Sequence, residues 1–237
     1  MLFRGNPDPC VGLRDSPVRV RPADPDDSTF LATVILMASR AHLPLGFWDL
    51  VVAGSEQDRL DFLELLTLME ARSFCHYSNF LVVEGDSGPA AALSAYDPGE
   101  QGLLAPGHAI AVASEEFGLS DAELADAYHR LEPYQTALPE QKKGVWTIEW
   151  VWTVPTMRRR GLVALLIEQI LALGQQRGFR LAQVTTFLGN AAAALAYENA
   201  GFRIAEEKRH PDFERLVGTP GLVRYERDLG GGGPRTG

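Results

Sequence analysis

The stretch that most limits what this chain can fold into runs from residue 145 to residue 209. VWTIEWVWTV (145–154) is rich in aromatic and branched residues and reads as a strand. GLVALLIEQILALGQQRG (161–178) follows with Leu162, Leu166, Ile170 and Leu173 on one helical stripe and Gly178 as its stop. RLAQVTTF (180–187) is the next strand, NAAAALAYENAG (190–201) the next helix, and FRIAEEKRH (202–210) a further strand. LVRYERDL (222–229) closes the fold. A strand, helix, strand order implies parallel strands joined by a right-handed crossover, so the chain is α/β.

The front half fits the same class. VRVRPA (18–23) alternates like a half-buried strand, and PDDSTFLATVILMASRA (25–41) begins with capping residues and continues with helical spacing. LPLGFWDLVVAG (43–54) reads as a loop or short turn carrying exposed aromatics. SEQDRLDFLELLTLMEAR (55–72) has Ser55 as a cap and Leu60, Leu63 and Leu66 as a stripe, and NFLVVEGDSGPAAALSAY (79–96) reads as a hairpin. Residues 97–144 differ in texture: prolines and glycines interrupt them, yet SDAELADAYHRLEPY (120–134) is a capped amphipathic helix. This segment is expected to be a helical insertion between two strands. Residues 1–17 read as an irregular arm and 230–237 as a flexible tail.

RRRG, at 158–161, falls where the 145–154 strand hands over to a helix. It concentrates positive charge in a chain with 22 Lys+Arg, 31 Asp+Glu and a formal net charge of -9. The free N–H groups of a first helical turn, together with its dipole, form an anion site. Gly161 has no side chain to keep a ligand off the backbone, and arginines add charge-assisted donors. Neither G-x-x-x-x-G-K-[ST] nor G-x-G-x-x-G occurs in the stretch.

The acidic balance argues against a protein that tracks nucleic-acid phosphates and fits a cationic partner better. Cys10 and Cys75 are the only cysteines, too few for a disulfide framework, and no Cys/His cluster has zinc spacing. MLFRGNPDPC lacks the apolar core of a signal peptide, and LATVILMA is too short to cross a bilayer. The expectation is a cytoplasmic, reduced protein without metal, membrane or nucleic-acid partner.

Two stretches carry a family resemblance. VPTMRRRGLVALL resembles motif A of the GNAT acyltransferase superfamily, whose core is R/Q-x-x-G-x-G/A, with Arg158 first and Gly161 fourth. Val163 stands where that family usually has Gly or Ala, and small Ala164 follows it. NAAAALAYENAGF resembles motif B, N-x-x-A-x-x-x-Y-x-x-x-G-F, with Asn190, Ala193, Tyr197, Gly201 and Phe202 in register. The resemblance extends over roughly 18–229, with 97–144 as an unusual insertion. It implies a GNAT-type fold: a mixed, twisted sheet that splays at the coenzyme site, with helices on both faces.

The resemblance further implies acetyl-CoA, or another short acyl-CoA, as co-substrate and a small-molecule or peptide amine as acceptor, with direct attack in a ternary complex. The backbone from Arg159 through Arg160, Gly161, Leu162 and Val163 to Ala164 would wrap the pyrophosphate. Arg158, Thr153, Val154, Asn190, Ala193 and Tyr197 would complete the coenzyme contacts. Tyr197 would protonate the departing thiolate, or else serve as a packing residue. Asn190 is also simply a good helix cap. Glu149, the only acid of its strand, would have a raised pKa if buried and suit a general base; as a residue on a sheet edge it would do nothing.

By simple alternation Trp146, Trp150 and Trp152 lie opposite Glu149, as core, wall or cation–π residues, although a bulge in this strand would upset that count. Phe47 and Trp48, with Asp49, fall between the first two helices, where the family frames the acceptor pocket or where they would form a structural staple, and Trp150 joins them as a substrate-binding candidate. Val163 leaves one alternative of another class, a non-catalytic acyl-CoA-binding or sensor module. Oligomeric state stays open, a homodimer included.

Overall fold

The computed structural model describes residues 18–101, 108–140 and 142–230. The expected arm, Cys10 and the tail beyond Gly230 lie outside the described residues.

One sheet organises the chain. Its strands are β1 (Arg19–Pro22), β2 (Phe80–Gly85), β3 (Gly88–Tyr96), β4 (Trp146–Thr153), β5 (Leu181–Phe187), β6 (Arg203–Arg209) and β7 (Gly221–Asp228), in the spatial order β1-β2-β3-β4-β5-β7-β6. All neighbours pair antiparallel except β4 and β5. The expected parallel crossover is therefore present between these two. The last strands depart from the simple alternating order: β7 inserts between β5 and β6, leaving charged β6 as an edge exposed along most of its length. An edge strand carrying Arg203, Glu207, Lys208 and Arg209 is protected from pairing with another chain.

Helices α1 (Ser28–Arg40), α2 (Phe47–Val51) and α3 (Glu56–Leu68) follow β1. In α3 the Ser55 hydroxyl accepts from the Asp58 N–H at 3.2 Å while Asp58 accepts from the Ser55 N–H at 2.7 Å. This reciprocal cap starts the helix where the sequence indicated. The expected loop at 43–54 is in part helical, and its aromatics are not exposed: Phe47 and Trp48 retain 8% and 0% of their surface. Two features force this. Gly46 lies so close to Ser39 that an added Cβ would stand 2.3 Å from its backbone. Buried Asp49 then receives Arg40 at 2.7 Å and Arg59 at 3.2 Å, which ties α2 to α1 and α3.

Between β3 and β4 lie α4 (Pro98–Gln101), α5 (His108–Phe117) and α6 (Asp121–Ala137), helical as expected. A Ser120–Glu123 capping box starts α6, which passes through Pro133 and ends beyond the expected Tyr134. It packs on α2 and, near its C-terminus, on α9 (Pro211–Val217), a helix that nothing in residue order marks. The remaining helices are α7 (Leu162–Gln176) and α8 (Ala191–Asn199).

Two cores flank the sheet. Leu31, Ile35, Trp48, Phe62 and Leu66 fill one face, while Leu162, Leu166, Ile170, Tyr197 and Phe202 fill the other. Gly174 lets α7 approach β4 closely: an added Cβ would lie 2.6 Å from the Trp146 ring. Trp146 is held there by its indole N–H donating to the Ile170 carbonyl at 2.9 Å.

Candidate active site

β4 and β5 pair through only Trp146–Ala182, Thr147–Gln183 and Ile148–Val184. Beyond Ile148 they diverge, and a cleft of about 720 Å³ opens between and beside them. The cause lies in β4 itself. Between Ala92 and Ser94 on β3 the pairing advances by two residues while β4 advances by three, from Trp152 to Glu149. The extra residue makes a β-bulge, and Trp150 occupies the left-handed region at φ 51°.

The bulge corrects the simple parity. Trp146 and Ile148 face the α7 core, whereas Trp150 and Trp152 pack against the α1 core. Glu149 adjoins Cys75, Tyr96 and Tyr134, all on the α1 side of the sheet. Glu149, Trp150 and Trp152 all line the cleft. Glu149 is partly exposed to the cleft, but its Oε2 is buried and has no hydrogen-bond partner. Burial pushes its carboxyl up to about 7, and a polar contact with the Tyr96 hydroxyl only partly offsets this.

The far end of the cleft is built by the RRRG junction. A single 3-10 turn (Pro155–Met157) leads into Arg158, whose Nε donates to the Thr153 carbonyl at 3.3 Å. Arg159 at φ 61° and Gly161 at φ 78° are both left-handed. Alternation of this kind turns successive N–H groups inward and makes an anion-binding concavity. Gly161 is the N-cap of α7, and no side chain caps that helix. The first intrahelical bond runs from the Leu165 N–H to the Gly161 carbonyl, leaving the Leu162, Val163 and Ala164 amides for a ligand. By contrast, α3, α6 and α8 all carry side-chain caps. An added Cβ at Gly161 would meet nothing within 4 Å, so it is the left-handed backbone angle and not crowding that calls for glycine.

Of the residues singled out from the sequence, Glu149, Trp150, Thr153, Arg158, Arg159, Gly161, Leu162, Val163, Ala164, Asn190, Ala193 and Tyr197 meet at this one cleft. Arg160 is exposed outside its lining, and the Val154 N–H is used in the sheet, donating to the Ala90 carbonyl at 2.9 Å. Asn190 caps α8 by accepting from the Ala193 N–H and donates to the Thr186 hydroxyl at 3.1 Å. Tyr197 packs its ring on Tyr225 and Phe202 at centroid distances of 5.9 and 6.1 Å. Burial, with a smaller contribution from Tyr225, raises its phenol pKa. Phe47 and Trp48 stand behind the wall: Trp48 lies 6.2 Å from Trp150, and Phe47 lies 5.4 Å from Tyr134.

Nothing in residue order marks Tyr96 or Tyr134 as neighbours of Glu149. They come from β3 and from the insertion, and only tertiary packing brings them together. Tyr134 and Leu138 place the C-terminal end of α6 beside Glu149 in the cleft. Among the described residues no group of acids, histidines and cysteines could hold a metal ion, and no helix is long and apolar enough to cross a membrane.

With this geometry in view, the chain can be set beside known proteins. The Acetyltransferase (GNAT) family model matches residues 122–202, which include α6, β4, α7, β5 and α8. A search of curated proteins finds no match. Among solved structures, an acetyltransferase superposes with a TM-score of 0.64 at 16% identity, covering 90% of this chain and all (100%) of that one. An N-acetyltransferase from Staphylococcus aureus Mu50 does so at 0.58 and 18% identity, covering 88% and 100%. A putative acetyltransferase from Salmonella typhimurium, solved with its cofactor acetyl-CoA, gives 0.51 and 14% identity, covering 92% and 96%. Residues 122–202 thus resemble the GNAT acetyltransferase family, and the forked sheet belongs to the fold that these solved structures share.

Proposed function

We propose that residues 18–229 act as an acyl-CoA-dependent N-acetyltransferase that moves an acetyl or other short acyl group to a primary amine by direct attack in a ternary complex. The observation that carries this reading is the placement of Glu149. It is an ionisable group held near neutrality at the fork of β4 and β5, in the same cleft as the unclaimed amides of α7.

The coenzyme pyrophosphate sits on the Leu162–Ala164 amides, with Arg158 and Arg159 beside it. The pantetheine arm follows the gap between the strands and brings the thioester between two titratable groups on opposite faces of the sheet. Glu149, from the α1 face, accepts a proton from the ammonium form of the acceptor, and the freed amine attacks the carbonyl carbon. Tyr197, from the α7 face, donates its phenolic proton to the sulfur as the C–S bond breaks. Attack leaves a second proton to be lost from nitrogen; it passes through solvent to the Tyr197 phenolate, the neutral amide and free coenzyme thiol leave, and the proton held by Glu149 is released to bulk water.

A pool of primary amines offered with acetyl-CoA, read by release of free thiol, tests this. Amine-dependent release supports transfer; coenzyme binding with no amine-dependent release supports instead a sensor that has lost turnover.

A further inference from the structure

The acceptor half of the cleft combines one carboxylate with a wall of aromatic carbon. One buried oxygen of that carboxylate, Glu149 Oε2, lacks a hydrogen-bond partner. Buried polar atoms are nearly always satisfied, so a carboxylate oxygen left open at a cleft points to a ligand that carries a hydrogen-bond donor. The wall around them is rigid. Trp150 stacks on Phe74 at 5.8 Å and 26°, and Tyr134 is wedged between Phe47 at 5.4 Å and Phe213 at 5.3 Å. Met37, Ala38, Ser39, His42 and Leu138 also line the cleft, and none of them is acidic. Among the described residues, Glu149 is the only acid lining the cleft.

An ammonium needs one counter-charge and gains further from aromatic faces. The rest of such an acceptor would lie against apolar carbon, where each buried methylene is worth about fourfold in affinity. A second ammonium on the same chain would lose its hydration beside Met37 and Leu138 without gaining a carboxylate, so the site discriminates against it. We propose that the acceptor is a monoamine with an apolar aliphatic or aryl body, its ammonium received by Glu149 against Trp150, Trp152 and Tyr134, and that diamines and polyamines are poor ligands. This rests on the transferase reading above and specifies its acceptor.

The test compares hexylamine with 1,6-diaminohexane, which share a chain and differ by one ammonium. Each is titrated by calorimetry into the whole protein saturated with free coenzyme A at pH 8, so that binding is read apart from turnover. Hexylamine should bind at least about tenfold more tightly, roughly 1.4 kcal/mol. Ala38→Glu, which adds a second carboxylate to the apolar wall, should narrow or reverse that difference. Equal or tighter binding of the diamine by the unmodified protein, or no binding of either amine, overturns the proposal. A parallel thiol-release assay with acetyl-CoA separates the two readings. Hexylamine bound but never acetylated removes the transferase reading and leaves the acceptor class standing. Preferential acetylation of the diamine does the reverse.

Discussion

Glu149 and Trp150 are consecutive in the chain, yet both line one cleft from the same side of the sheet, because Trp150 adopts a left-handed backbone at φ 51°. A regular strand would have sent one of them into the α7 core. The strained residue thus turns an ordinary strand into a site that holds an acid within an aromatic wall.

Glu149 titrates with opposite consequences for rate and stability. With its carboxyl raised to about 7, activity should climb as pH rises through 7, where the base becomes ionised. Glu149→Gln should lose that limb and recover only at alkaline pH, where bulk solution deprotonates the amine. Because the folded protein holds this proton more tightly than the unfolded chain, stability falls as pH rises from about 4.5 to about 7. The Gln variant should therefore match the native protein near pH 4 and exceed it at pH 8 by up to roughly 3 kcal/mol. Parallel pH–rate and chemical-denaturation curves measure both.

Tyr197→Phe removes one hydroxyl and leaves the ring against Tyr225 and Phe202. The expected outcome is a fall in kcat of about 10²–10⁴-fold with coenzyme affinity nearly unchanged. Full activity in a stably folded variant would show that another group, such as a water, protonates the thiolate.

Gly161→Asp separates stability from binding. Aspartate tolerates positive φ better than most residues but still costs roughly 1 kcal/mol there, so melting temperature should fall by only a few degrees. Its carboxylate would occupy the amides of Leu162 to Ala164 and repel the pyrophosphate. Coenzyme affinity should fall by at least about tenfold in calorimetry, and unchanged affinity would place the pyrophosphate elsewhere.

Gly174→Ala tests packing alone. The new methyl would stand 2.6 Å from Cδ1 of Trp146, far inside contact distance, at a position remote from the cleft lining. Such overpacking costs about 1–3 kcal/mol. Melting temperature should drop by several degrees, while kcat and KM measured well below the melt stay near those of the native protein.

Much of this was legible from residue order. Hydrophobic spacing marked α7, Ser55 and Ser120 marked two helix starts, and RRRG marked a strand-to-helix junction with free amides, because these depend on neighbours within a few residues. The α2 segment was misread as an exposed loop because its burial depends on Asp49 meeting Arg40 and Arg59 from two other helices. Helix α9 was missed because it is a short element with Pro211 in its first turn, and its place is set by packing on α6.

Residue order sets the α/β alternation, the sites of helix capping and the identity of the groups available for chemistry. Tertiary structure alone decided which of those groups face one another. Side-chain parity on β4 turns on a single bulged residue, and no pattern of period two can announce where it breaks. The environment of Glu149 is likewise assembled from distant segments: Tyr96 on β3, whose hydroxyl partly holds the pKa down, Tyr134 on α6, and the fork beyond Ile148. Desolvation depends on what surrounds a charge in space, so it is fixed only when those distant segments close around it.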